Sequence, residues 1–381
     1  NLSIRSFVNR GHEKVIGSRD GLYYINEATG VVKSFVKPVL TSDLILTICF
    51  YEGEYYIGTY GGGMMVLNPE TLSLKYFAQG GDGDAELFQK GHIFCVRPDE
   101  KGNLWIGTSQ GLFCYNLEKG ELQNYTLQNF SFLTTNVETF AFDNSGTLWI
   151  GCYGDGLFYS KDRLKTLHPY LSPVNNKEIY ANDVVTCIVK GAYNCLYISS
   201  LKGGVKELNL TSNKLHDLLF EDESGESVFC RELLVASDNE LWIGAESGLY
   251  IYNLRLGKYV HLRSSINDPY SLSDNAIYSL CKDREGGIWI GSYFGGINYY
   301  PRFYTNFEKY YPKGIENGLH GKRVREFCQD NQGILWIGTE DGGLNRFNPK
   351  TKTFSFFTPS NAFTNVHGPV SYTHLRAHET V

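Results

Sequence analysis

Arg19, Tyr60, Ser109, Tyr153, Leu201, Glu246, Tyr293 and Glu340 all stand at one offset from a phrase that the chain repeats eight times. A second set, His92, Asn136, Asp183 and Arg323, recurs just before the segments that read as the innermost strands. Fold alone would be satisfied by Ser or Gly at such places. Tyrosine instead offers a flat apolar face with a hydroxyl at its tip, and Arg, Glu, Asn, Asp and His offer directional hydrogen bonds. That mixture suits a polar ligand with apolar faces, a carbohydrate foremost. The expected ligand-binding residues are Arg19, Tyr60, His92, Asn136, Tyr153, Asp183, Tyr293, Arg323 and Glu340. Each alone reads equally well as a solvated loop residue; the grouping carries the expectation.

Other chemistry finds little support. No His-Glu-x-x-His or Cys-His cluster occurs, and no catalytic residue, metal or cofactor is expected. A pair of catalytic carboxylates on one face stays open as an alternative. Asp82, Asp84 and Glu86 begin a calcium-loop spacing, but Leu87 and Ile93 stand where Gly and Glu are needed, and the segment reads as a flexible acidic loop. Asp143 to Trp149 resembles a sialidase Asp-box, with its Gly one place too late.

The elements that position these residues follow from the repeated phrase, an aromatic-Ile-Gly step with a second Gly a few residues on. Tryptophan opens it at Trp105, Trp149, Trp242, Trp289 and Trp336, the only five tryptophans present. Val15, Tyr56 and Tyr197 open degenerate copies, and Ser199 replaces the third residue in the last of them. Numbered 15, 56, 105, 149, 197, 242, 289 and 336, the anchors lie 41, 49, 44, 48, 45, 47 and 47 residues apart. That period belongs to propeller blades and similar arrays. In the best-kept unit, Val137–Phe142, Thr147–Gly151 and Leu157–Tyr159 read as strands, with a weaker fourth near Leu164 to Leu167. Asp-x-x-Gly turns at Asp99, Asp143, Asp283 and Asp330 join the first strand to the second. Asn-Pro turns follow the third strand at Asn68 and Asn348.

Thr47-Ile48-Cys49-Phe50 and Phe140-Ala141-Phe142 are apolar on both faces, as a sheet between two other sheets requires. The 41 glycines speak against a helical array. The fold class is therefore all-β, a β-propeller of four-stranded antiparallel blades. In such a meander the stereotyped turns share one end of the blade. The variable loops share the other, which becomes the expected functional face.

The net charge of −6 lacks the basic footprint of a nucleic-acid binder, and no apolar run is long enough to span a membrane. Nine cysteines without a Cys-x-x-Cys pair read as buried free thiols. This usage keeps a cytoplasmic setting open. The tail 359–381 shows none of the repeat grammar and reads as foreign to the fold from about residue 370.

Leu335-Trp336-Ile337-Gly338-Thr339-Glu340-Asp341-Gly342-Gly343-Leu344-Asn345-Arg346-Phe347 resembles the two-component regulator propeller repeat, and Leu104 to Leu112 and Trp289 to Tyr300 match nearly as well. The resemblance covers residues 1 to 358. It implies the periplasmic sensor region of a hybrid two-component histidine kinase of Bacteroidetes type, anchored in the inner membrane and responding to oligosaccharides. Partners implied are a small glycan and the rest of a receptor chain (second propeller, β-sandwich, membrane helix), with room for a homodimer of the parent. Relatives of this kind close seven blades, which suggests a seven-repeat ring over 1–312 and an eighth repeat, 313–358, opening a following propeller. A single eight-bladed ring is the alternative. The region itself carries no catalytic motif. The rival readings are a glycan lyase or hydrolase on a propeller and a protein-binding scaffold.

Overall fold

A computed structural model describes residues 3–77, 82–125, 136–173, 175–268, 270–302, 310–312 and 317–357; the tail 359–381 lies outside them. Eight antiparallel sheets form, each from consecutive strands in sequence order. They cover residues 4–35, 45–76, 93–125, 137–169, 185–219, 230–262, 277–300 and 324–357, here blades 1 to 8. Seven have four strands, and blade 7 has three among the described residues. The fourth strand of blade 4 is only His168–Pro169, later and shorter than the sequence suggests. Residues 82–90 form a helix rather than a flexible loop, because Leu87 and Phe88 are apolar enough to be buried, Phe88 against Phe77 and Phe113.

By contacts the chain forms two compact units, Asn1–Ser264 with Ser271–Phe303, and Ser265–Tyr270 with Tyr304–Val381. The first is a ring. The first strand of each blade touches that of the next from blade 1 through blade 7, and blade 7 returns to blade 1. Among the described residues no strand is exchanged to lock the closure. Side chains do it instead: Phe7 stacks on Trp289 with centroids 5.3 Å apart, and the Lys14 ammonium lies 5.6 Å from the same ring. Seven blades close, not eight. Blade 8 belongs to the second unit, where Phe347 packs on Phe354 and Tyr310.

The motif glycine has a steric cause. A Cβ added at Gly17, Gly58, Gly151, Gly244 or Gly291 would lie 2.5, 2.7, 2.5, 2.9 or 2.7 Å from a branched side chain of the next blade. Those side chains are Ile45, Ile93, Val185, Ile277 and, across the closure, Ile4. Each is a knob at the start of an innermost strand, seated in the hollow that glycine leaves. Blade 5 breaks the rule on both sides. Ser199 replaces the glycine, and the facing knob in blade 6 is the smaller Cys230; Thr186 Oγ1 bridges the two through the Ser199 hydroxyl (2.9 Å) and the Cys230 carbonyl (3.1 Å). The exchange is compensatory.

The Asp-x-x-Gly turns are tied to the tryptophans. Asp143 Oδ1 accepts the Ser145 and Thr147 amides, while Oδ2 accepts Trp149 Nε1 at 3.0 Å. Asp99, Asp283 and Asp330 hold Trp105, Trp289 and Trp336 at 3.0, 3.2 and 2.9 Å. In blade 6, Glu240 takes the part for Trp242. No disulfide joins any of the nine cysteines among the described residues.

Three outcomes follow from this packing. Trp149, buried with Tyr170, Ile188 and Ile198, is expected to cost roughly 3–5 kcal/mol of folding stability on change to Ala, read by urea unfolding. Cys230→Val should overpack against Ser199 and cost about 1–3 kcal/mol. Ser199→Gly in the same chain should recover most of that loss, a coupling that a double-mutant cycle measures directly. The third concerns acid. Burial pushes the Asp143 carboxyl up, but its hydrogen bonds from Ser145, Trp149 and Thr147 outweigh this and leave the pKa below its ordinary 3.8. A depressed folded pKa gives stability that is full above the unfolded value and lost as pH falls through the folded one. Asp143→Asn should therefore flatten the loss of unfolding midpoint below about pH 4.

Candidate functional site

The two sets of loop residues meet through the backbone. In every blade the residue four places after the anchor donates its N–H to the carbonyl just before the innermost strand. The pairs are Arg19 to Ser3, Tyr60 to Leu44, Ser109 to His92, Tyr153 to Asn136, Leu201 to Val184, Glu246 to Phe229, Tyr293 to Ala276 and Glu340 to Arg323, all between 2.8 and 3.2 Å. One end of the blades thus gathers both sets.

Side chains pair more locally than the sequence suggests. Tyr60 stacks on His92 with centroids 4.0 Å apart. His92 Nδ1 is buried with no hydrogen bond. Arg19 donates to the Tyr293 hydroxyl at 3.0 Å. Tyr153 is 55% and Tyr60 51% exposed, whereas Tyr293 is half-buried against Tyr278 and Phe294. Asp183 is occupied by the fold: its carboxylate accepts the amides of Val184, Lys202 and Gly203. Arg323 and Glu340 pair with each other at 3.5 Å within the second unit, where Arg325 also holds Glu340. Eight of the nine residues form four adjacent pairs, Asp183 stands apart from them, and no single constellation results.

Sequence reading missed the residue next to each knob. In all eight blades the pairing of the first two strands slips there, leaving one extra residue: Arg5, Leu46, Phe94, Glu138, Thr186, Arg231, Tyr278 and Arg325. Such a β-bulge frees a side chain from the ladder and re-aims it. An irregular pairing leaves no mark in apolar alternation. The signal available was only that these positions vary wildly beside an invariant apolar knob.

Around blades 6, 7 and 1 the bulged residues form a polar cluster. Arg231 binds Glu246 Oε1 through Nε at 2.7 Å and Nη2 at 2.6 Å, and the Tyr278 hydroxyl donates to the same oxygen at 2.8 Å. Burial, then that bond to Glu246, pushes the Tyr278 pKa up to about 12. The Arg5 guanidinium lies 4.2 Å from the Tyr278 centroid and 5.2 Å from that of Tyr293. Farther round, Glu138 has no hydrogen bond among the described side chains, and burial raises its pKa to about 7. At the opposite end, beside the short outer strand of blade 4, a groove of about 1270 Å³ is lined by Arg97, Lys101, Lys161, Arg163, Lys165 and Lys190 among others.

The ring defines a β-propeller, one end of which is built from bulges and loops. Residues 88–110, 271–294 and 318–341 match the model of the two component regulator propeller, the first two segments lying in the ring and the third in the unit of blade 8. No curated protein matches significantly. Among solved structures, the extracellular domain of a designated hybrid two component system from B. thetaiotaomicron aligns with a TM-score of 0.70 at 22% identity, over 94% of this chain and 47% of that one. Another B. thetaiotaomicron extracellular domain, of a designated one component system, gives 0.66 at 18%, over 94% and 52%. PorZ of Porphyromonas gingivalis, a surface component of its type-IX secretion system, gives 0.60 at 13%, over 92% and 58%. At these identities the likeness is one of fold. The chain spans about half the length of the two B. thetaiotaomicron structures. No helix of the described residues is long and apolar enough to cross a membrane.

One outcome tests the bulge geometry. A carboxyl whose folded pKa is raised costs stability as pH climbs from its unfolded value, near 4.5, through about 7. Glu138→Gln should leave stability at pH 4 unchanged and raise it at pH 8 by on the order of 1–3 kcal/mol. Equal unfolding midpoints at both values would remove Glu138 from its buried setting.

Proposed function

We propose that this chain is the ligand-sensing propeller part of a larger extracytoplasmic receptor. In this reading it is periplasmic and held at the inner membrane by parts of the parent chain. The loop end binds an oligosaccharide and performs no chemistry on it. Signal output belongs to a histidine kinase module elsewhere in that parent. The observation that carries the reading is the coincidence of regulator-propeller repeats with exposed tyrosines at the gathered loop end. Blade 8 supports the larger chain. Val324 is 48% and Phe327 70% exposed, although the matching Val137 and Phe140 of blade 4 are buried. A strand with knob and core residue laid bare is one made for a neighbouring repeat, here the start of a second propeller.

Calorimetry against a panel of neutral and acidic oligosaccharides, with mass spectrometry of the mixtures afterwards, tests this. Binding without new products is expected; turnover of any glycan would sink the sensor reading in favour of a lyase or hydrolase. Tyr60→Ala and Tyr153→Ala should each weaken binding by about 1–3 kcal/mol and move stability by no more than about half a kcal/mol. Tyr293→Ala should lower both, because its ring also packs on Tyr278.

The groove at the turn end, whose six Lys and Arg outnumber the acids Asp99, Glu100, Asp143 and Asp162 that also line it, favours a second reading, a scaffold that docks an acidic protein segment. Its Lys and Arg side chains make no ion pair among the described residues. Loss of partner capture on charge reversal at Lys161 and Lys165, with glycan binding absent throughout, would establish it instead.

A further inference from the structure

Arg5 makes no ion pair among the described residues. It is half-buried, its Nε is buried without a hydrogen-bond partner, and no carboxylate reaches it among the described residues. The nearby acid, Glu246, is already held by Arg231 and by the Tyr278 hydroxyl. Arg19 reaches the same tyrosine pair, donating to Tyr293, and likewise makes no ion pair among the described residues. Three guanidinium groups therefore surround Tyr278 and Tyr293 against one carboxylate.

An unpaired charge withdrawn from water is costly. The two tyrosine faces offset part of that cost by cation–π attraction. They leave the planar N–H fork unmet, since a ring face accepts none of its donors in-plane. The bulge at Arg5 releases its side chain from the strand ladder, and the guanidinium lies over the Tyr278 ring. A guanidinium held in this way matches a planar or tetrahedral oxyanion, which it can meet with two parallel bonds.

We infer that the mouth formed by Arg5, Arg19, Tyr278 and Tyr293 is an anion subsite, taking the carboxylate or sulfate of an acidic sugar. The sugar part of this inference rests on the oligosaccharide reading above; the anion part does not. In the bound state the charged group would sit against Arg5, with Arg19 beside it at the rim.

Calorimetry with three probes separates the two parts: tetragalacturonate, neutral maltotetraose, and tricarballylate as a polycarboxylate without sugar. Tetragalacturonate is expected to bind at least tenfold more tightly than maltotetraose. Arg5→Gln should remove that advantage, Arg5→Lys should restore only part of it, and Arg19→Gln should weaken binding less. Melting temperatures of all variants report whether the ring is intact, and Arg19→Gln, at an exposed position, keeps the test valid if Arg5 variants fail to fold. Equal binding of maltotetraose and tetragalacturonate, unchanged in the Arg19 and Arg5 variants, would overturn the anion subsite and leave the glycan reading standing. Binding of tricarballylate alone, lost in Arg5→Gln, would keep the anion subsite and overturn the glycan reading. Binding of none of the three overturns both.

Discussion

Everything in the ring depends on one contact, a branched side chain of one blade filling the hollow above a glycine of the blade before it. The interaction is repeated at Gly17–Ile45, Gly58–Ile93, Gly151–Val185 and Gly244–Ile277, and it closes the circle at Gly291–Ile4. Because interiors are close-packed, the hollow tolerates no added carbon. This explains why aromatic-Ile-Gly is the phrase that survives while the surrounding residues drift. The aromatic residue and the isoleucine supply apolar area to the two faces of the sheet, and the glycine sets the distance between sheets. Ser199 facing Cys230 shows that the constraint is on summed volume, not on glycine as such. The closure between blades 7 and 1 shows side-chain packing of this kind, with Phe7 on Trp289, and no shared strand among the described residues.

The same contact creates the site. Seating the knob in its hollow is accompanied, in every blade, by a slip of pairing at the very next residue, so a bulged position recurs beside the most constrained one. The bulged residue is released from the ladder and its identity varies, although Thr186 still bridges blades 5 and 6 through Ser199 and the Cys230 carbonyl. Around the ring it runs Arg5, Leu46, Phe94, Glu138, Thr186, Arg231 and Tyr278. A rigid frame thus carries a set of independently adjustable side chains at one end of its axis. That arrangement suits recognition, since changing a bulged residue alters the surface without disturbing the knob that holds the blade.

The fold was legible because its cause is local and repeated. A period of 41 to 49 residues, two-sided apolar strands and Asp-x-x-Gly turns each leave a mark in sequence, and seven-blade closure followed from the resemblance. The site was legible by end but not by residue. Counting four places from each anchor located the loop end, since a backbone hydrogen bond fixes that offset in all eight blades. Counting could not show that Asp183 spends its carboxylate on loop amides, or that Arg323 and Glu340 pair in a separate unit. Nor could it show the bulges, because a slip in pairing is a relation between two strands. The helix at 82–90 escaped for a different reason: its acidic opening masks the buried Leu87 and Phe88, whose partners lie in blades 2 and 3.

Net charge proved a poor guide to the local field, and the structure shows why. The chain carries six more acids than bases, yet Asp99, Asp143, Asp283 and Asp330 are bound to turn amides or to tryptophan Nε1 at the far end of the blades. Asp183, Asp274 and Asp341 accept loop amides in the same structural way. Acids in such places answer the unmet donors of the backbone, as buried or crowded peptide groups require. Among the arginines, Arg10, Arg231, Arg263, Arg323 and Arg325 pair with carboxylates and Arg97 donates to backbone carbonyls, while Arg5 and Arg19 make no ion pair among the described residues. An acidic protein can in this way present a cationic mouth, and the field a ligand meets is set by which charges the fold has not already used.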